Sequence, residues 1–160
     1  MKYYTDGFVI GHNPSEEGGG YTIFDENNVL IKREVVYKSN FTNNEAEILG
    51  ILEALKLCSK GDTISTDSMC CLTWANAGWS KARPELLPVL KECKELKTLK
   101  QVNLCWEGRD FNLAGIYNEN NPIKGSVLYR KPKVKKSKDW KMFKDLEKEF
   151  DRQQSFLNSL

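Results

Sequence analysis

A layered α/β domain built on a mixed sheet is the fold class that the sequence predicts, and three observations predict it. Residues 2–37 contain three runs rich in aromatic and β-branched side chains, separated by Gly and Asn turns, the pattern of a meander. At Asn43 the apolar spacing switches to fours and threes, which marks a helix. Strand-like and helix-like segments then alternate as far as Trp106.

In order, Lys2 to Ile10 reads as a first strand interrupted by Asp6-Gly7. Gly18-Gly19-Gly20 opens a second, Tyr21 to Asp25, which turns at Glu26-Asn27-Asn28 into a third, Val29 to Tyr37. Ile48, Leu52 and Leu55, with Leu49 beside them, define a helix to about Cys58, with Thr42 or Asn43 available as its N-cap. Gly61 ends it, Thr63 to Thr66 is a short fourth strand, and Ser68 to about Ala77 is helical. Pro84 to Leu99 forms a further helix with Leu86, Leu87, Leu90 and Leu96 as its buried face, and Val102 to Trp106 is a fifth strand. Past Pro122 a Pro-containing basic run, Lys131 to Lys138, precedes an amphipathic helix marked by Trp140, Phe143, Leu146, Phe150 and Leu157.

At 160 residues the chain fits one domain with an appendage. Its 40% apolar and 29% charged residues exclude wholesale disorder, a collagen-like fibre and a membrane bundle. No apolar run approaches the ~18–20 residues of a membrane helix, and the N-terminus lacks a signal peptide's apolar stretch, so a cytoplasmic protein is expected. Five cysteines without a Cys-x-x-Cys pair suggest neither a disulfide framework nor a zinc site. The net charge of +2 is a cancellation: residues 123–160 carry eleven Lys or Arg against five Asp or Glu, leaving thirteen against seventeen in residues 1–122. Attraction for a polyanion is therefore concentrated in the tail, whose plainer reading is a solvated linker.

Three carboxylates stand out. Asp6 lies inside the first strand, Asp67 closes the fourth, and Glu47 sits one turn into the first helix. A lone buried carboxylate is costly and needs a hydrogen-bonded, cationic or metal environment. Each has an ordinary alternative, a strand end or helix cap for the aspartates and a solvated position for Glu47. Together they could converge on one sheet edge and hold divalent ions through oxygen, as Mg²⁺ prefers.

Tyr4-Thr5-Asp6-Gly7, the Gly18-Gly19-Gly20 strand start, Thr42-Asn43-Asn44-Glu45-Ala46-Glu47, Ser65-Thr66-Asp67-Ser68 and Trp106-Glu107-Gly108-Arg109-Asp110-Phe111-Asn112 resemble, in order and spacing, the successive signatures of type 1 ribonuclease H. The resemblance covers residues 1–121 and leaves 122–160 as a basic linker and terminal helix. It implies a ribonuclease H-like fold, a five-stranded mixed sheet of order 3-2-1-4-5 flanked by helices, with Asp6 and Asp67 on adjacent strands. It implies a hydrolase: endonucleolytic cleavage of the RNA strand of RNA/DNA hybrids by two Mg²⁺ ions, for which Mn²⁺ can substitute, giving 5′-phosphate and 3′-hydroxyl ends. By the same resemblance Asp6 bridges both metals, Glu47 serves the leaving-group side and Asp67 the nucleophile side. Thr42 meets a DNA phosphate, while Asn43 and Asn44 read the minor groove, where 2′-hydroxyls distinguish RNA. No membrane or protein partner is implied, and a monomer is expected.

The match departs in three places. The family's fourth acid would fall at Gly115 or Ile116, neither of which binds metal; Glu119, one turn further on, is the expected substitute, with Asp110 second. The flexible His of many relatives is missing, and Arg109, which stays protonated, is expected to contact a phosphate instead. The segment Gly78 to Pro84 leaves little room for a basic handle, so Lys133, Lys135 and Lys136, with their neighbours Lys131 and Lys138, are candidates for gripping the hybrid. The terminal helix is expected to dock on the domain. Two further readings stay open, a non-catalytic nucleic-acid-binding domain and another nuclease of the same superfold; Thr42-Asn43-Asn44 argues against the latter.

Overall fold

The structure is a computed structural model that describes residues 1–123 and 140–159. Strands β1 (Lys2–Val9), β2 (Gly19–Asp25) and β3 (Leu30–Val36) form the meander. Helix α1 (Asn43–Leu57) leads to β4 (Thr63–Thr66), followed by α2 (Met69–Ala77) and α3 (Leu87–Lys100). Strand β5 (Asn103–Trp106), a 3₁₀ turn at Arg109–Phe111 and the short helix α4 (Leu113–Asn120) complete this part, and α5 spans Trp140–Ser159. The sheet has the expected order β3-β2-β1-β4-β5, antiparallel within the meander and parallel from β1 through β4 to β5.

Alternation along the strands assigns two faces. Thr5, Gly7, Tyr21 and Ile23 face α1, where Ile23, Ile48, Ile51, Leu55, Ile64 and Leu90 join one fully buried core. Asp6, Phe8, Thr22 and Phe24 face the opposite side, under α4. The helices begin on side-chain caps: Thr42 Oγ1 accepts from Glu45 N (3.1 Å), Ser68 Oγ from Cys71 N (3.4 Å) and Asn112 Oδ1 from Gly115 N (3.1 Å).

Two local expectations change. Strand β1 is continuous through Asp6 and Gly7, which pair with Thr22 and Tyr21 of β2. The glycine is there for space, because a Cβ on Gly7 would lie 2.5 Å from Glu47 N and 2.7 Å from Ala46 C. The second change is at Leu87, which is 49% exposed. A 3₁₀ turn at Pro84–Leu86 precedes α3 and sets its phase, so that Leu86, Leu90 and Cys93 form the buried stripe and Leu87 points out. The terminal helix lies where the sequence places it; Gln154 on it is buried, and Asn120 of α4 lines a groove with Arg152, Gln153 and Phe156. The Lys131–Lys138 run and the side chains of Trp140, Phe143 and Leu146 lie outside the described residues.

Gly7→Ala forces backbone against backbone where β1 meets α1, with no flexible side-chain end to yield. We expect it to cost about 2–3 kcal/mol, the upper range for overpacking, read as a lower urea midpoint at unchanged m-value.

Candidate active site

The parallel pairing of β1 with β4 aligns Tyr4 with Ser65, so two residues further on Asp6, within β1, comes level with Asp67, the residue after the end of β4. The α1 backbone, admitted by Gly7, delivers Glu47 to the same point. One carboxylate oxygen from each of Asp6, Glu47 and Asp67 falls within 4.8 Å of the others. The three open on a cleft of about 440 Å³ whose other walls include Asn13, Asn43, Ser68 and Arg109.

This arrangement opposes ionisation. Burial, joined by the Asp67 charge and offset in part by a hydrogen bond from Asn118, pushes the Asp6 carboxyl up to about 6. Glu47 is only 4% exposed and is driven well above the usual range by burial and then by the Asp6 and Asp67 charges. Asp67 also rises through burial, held back by the Arg109 guanidinium. Glu47 Oε2 is buried with no hydrogen-bond partner among the described residues. A buried, unpartnered carboxylate oxygen beside two more carboxylates is the donor set of a hard divalent cation, so the residues fit such an ion. The solvated reading of Glu47 is excluded by its burial.

Helix α4 covers the other flank. Cross-strand pairing puts Arg33, Thr22 and Asp6 side by side on β3, β2 and β1. Asn118 Nδ2 donates to Asp6 Oδ2 at 2.8 Å, and Thr22 Oγ1 donates to Asn118 Oδ1 at 2.6 Å. Arg33 lies 5.3 Å from the ring centroids of both Phe8 and Tyr117 and donates to Asn121 O at 2.6 Å. Asn112 is fully buried: while its Oδ1 caps α4, its Nδ2 donates to Thr5 O at 2.9 Å. Of the two positions considered for a fourth acid, Gly115 is the one that faces the site, since a Cβ there would lie 3.7 Å from Asp6 Cγ, whereas Ile116 is 37% exposed.

Glu119 does not join the cluster. It is about half exposed, with Oε1 3.6 Å from Arg109 Nε, because α4 starts at Leu113 and that phase turns Gly115 and Asn118, not Glu119, toward Asp6. Asp110 lies in the exposed 3₁₀ turn, also outside the group. Arg109 and Asn43 line the cleft. Thr42 caps α1, and the side chain of Asn44 faces the thiols of Cys70 and Cys71, each 3.8 Å from its Oδ1. The sequence reading missed Thr22 and Asn118. The signals were there: Thr22 stands opposite Asp6 once the meander is registered, and Asn118 lies three residues beyond Gly115 on an eight-residue helix.

A five-stranded mixed sheet of this order, with an acid cluster where β4 ends beside the middle of β1, defines an α/β domain of the ribonuclease H-like fold. The RNase H family model matches residues 1–121, and the chain belongs to that family. Solved structures of similar fold include the N-terminal RNase H domain of Rv2228c from Mycobacterium tuberculosis, with TM-score 0.55 and 22% identity over 71% of this chain and 90% of that one. RNase H1 from the halophilic archaeon Halobacterium salinarum has TM-score 0.54 and 19% identity over 71% and 89%. LC11-RNase H1, solved in complex with an RNA/DNA hybrid, has TM-score 0.52 and 23% identity over 69% and 87%. A comparison with curated proteins gave no match.

The raised carboxyls make stability depend on pH. With its pKa near 6 in the fold, against an ordinary value near 4, Asp6 binds its proton more tightly folded than unfolded. Stability of the metal-free chain therefore falls as pH rises from about 4 through 6. Asp6→Asn should stabilise the metal-free chain at pH 7 by about 1–3 kcal/mol at ~1.4 kcal/mol per pK unit, seen as a higher melting temperature, and should flatten the profile between pH 4 and 6. Melting curves in chelator across that range check both.

Proposed function

We propose that the chain is a ribonuclease H that hydrolyses the RNA strand of RNA/DNA hybrids endonucleolytically, with a divalent ion pair held by Asp6, Glu47 and Asp67. The observation that carries this reading is the three-carboxylate cluster with its unpartnered Glu47 oxygen, in the cleft of an RNase H family chain. That LC11-RNase H1 is seen with a hybrid supports the substrate. Divalent ions bound there supply Lewis-acid activation of water and stabilisation of the departing oxygen, and the all-oxygen donor set favours Mg²⁺, with Mn²⁺ acceptable. In the reaction the water oxygen bonds to phosphorus and the bond from phosphorus to the 3′-oxygen breaks, leaving 5′-phosphate and 3′-hydroxyl ends.

The chain's own residues do the rest. Arg109, exposed at the mouth of the cleft, offers a planar donor fork to a phosphate, and exchanging Glu119 for that phosphate replaces one exposed ion pair by another. Asn43 presents an amide on the cleft wall, suited to base edges and 2′-hydroxyls, with Asn44 and Thr42 beside it at the start of α1. Residues 1–121 form the catalytic domain in this reading, and 122–160 add Lys133, Lys135 and Lys136 as a sequence-independent grip on the backbone.

Incubation of the chain with labelled hybrid, duplex DNA and duplex RNA in Mg²⁺ or Mn²⁺ tests the proposal. We expect cleavage of the hybrid's RNA strand alone, a fall of at least about 10³-fold in Asp6→Asn, an effect of the size seen when transition-state charge stabilisation is lost, and full activity in Glu119→Gln. Tight hybrid binding without cleavage would mean a binding domain instead. For the tail, replacing Lys133, Lys135 and Lys136 together by Ala should raise KM and reduce the slope of log KM against log salt by up to about 0.7–0.9 per lysine. An unchanged slope removes the tail from substrate binding.

A further inference from the structure

We propose that Asn118 is a positioning residue that orients Asp6 for metal, and that Thr22 orients Asn118; this rests on the metal-site reading above. The geometry is directional. Thr22 and Asp6 are cross-strand neighbours on one face of the sheet, and Asn118 comes down between them from α4. A primary amide has one acceptor end and one donor end. Because the Thr22 hydroxyl donates to Oδ1, the NH₂ end is the one left to face Asp6, and it donates to Oδ2. That bond fixes the setting of the Asp6 carboxylate, one oxygen of which lies within 4.8 Å of an oxygen of Glu47 and of Asp67. Asn118 and Thr22 are themselves fully buried, so water does not compete for either bond. Arg33, held against Phe8 and Tyr117 and bonded to Asn121 O, pins the helix that carries the amide.

The same contact shows how the chain works with a glycine where a fourth acid would stand. Gly115 puts no side chain over Asp6, and the flank is filled by a neutral donor. A fourth carboxylate would add repulsion to three already within 4.8 Å of one another, whereas the amide is neutral and donates a hydrogen bond to one of them. Groups that support a ligating side chain from behind are worth about 10–100-fold in metal affinity when removed.

The experiment is Mn²⁺ binding to the full chain without substrate, followed by electron paramagnetic resonance, for wild type, Asn118→Ala, Thr22→Val and the double variant, with melting temperature measured alongside. Asn118→Ala should weaken Mn²⁺ binding about 10-fold or more while the chain stays folded. Thr22→Val should weaken it by less, because the amide is then free to turn, and should add nothing in the Asn118→Ala background. Wild-type affinity in folded Asn118→Ala, or a Thr22→Val effect that persists unchanged in the double variant, overturns the inference. If Asn118→Ala does not fold, Thr22→Val alone decides: unaltered Mn²⁺ affinity overturns the positioning chain. Absence of Mn²⁺ binding by the wild type overturns the metal reading and this inference together, whereas wild-type binding with indifferent variants overturns this inference alone.

Discussion

Three carboxylates crowded within 4.8 Å, two of them almost wholly removed from water, are the constraint around which the rest of this structure is arranged. Their proximity is not something the side chains would choose, since each raises the cost of ionising the others. It is imposed by backbone. The parallel register of β1 and β4 brings two of them level, and the approach of α1 over Gly7 brings the third. The apolar core beneath α1, from Ile23 to Leu90, supplies the stability against which this crowding is maintained. Site and core share helix α1: its Ile48, Ile51 and Leu55 are buried in the core while Glu47 meets Asp6 and Asp67.

Much of this was legible in the sequence, and the remainder was hidden for physical reasons. Strand order and the adjacency of Asp6 and Asp67 came from the motif resemblance, and the helix starts from cap chemistry that needs only local residues, as Thr42, Ser68 and Asn112 show. Glu47 was ambiguous because helical periodicity places a residue on a face without saying how closely that face is approached. The approach depends on Gly7, on a different element far back in the chain. Leu87 was misplaced because a 3₁₀ turn shifted the helical phase. Glu119 was chosen by spacing from a motif, whereas the phase of α4 is fixed by its Asn112 cap and by the sheet beneath it; one residue of phase, about 100°, separates a group over the sheet from one at the rim. Asn118 escaped notice because asparagine in a helix ordinarily reads as a surface or capping residue, and only the sheet beneath reveals its partner.

Helix α4 shows a different balance from the core. At eight residues it is too short to be stable alone, and many of its ties to the sheet are directional: Asn112 to Thr5, Thr22 to Asn118, Asn118 to Asp6 and Arg33 to Asn121, with ring contacts from Tyr117 to Phe24 and Arg33. Apolar burial alone would let such a helix slide or rotate at small cost, because it is not directional. Hydrogen bonds among buried groups do not permit this, since a slip leaves each donor and acceptor unpaired at about 1–3 kcal/mol apiece. The polar row Arg33, Thr22, Asp6 thus sets the phase of α4, and that phase puts a glycine and an amide, not an acid, against the site.

The phase of α4 also sets the charge of the site. Under the function proposed above, three ionised carboxylates and a pair of divalent ions would sum to +1, and one phosphodiester charge would bring the site to neutrality. A fourth acid would neutralise the ions by itself and leave less electrostatic reason for the phosphate to enter. On that proposal the attraction for substrate would lie in the three-acid site, and Arg109, exposed on the cleft and paired with Glu119, would extend it outward. On the proposed function the departure of this sequence from the four-acid pattern would be a redistribution of charge: a neutral amide, Asn118, takes the place beside Asp6, and the substrate phosphate would supply the missing negative charge.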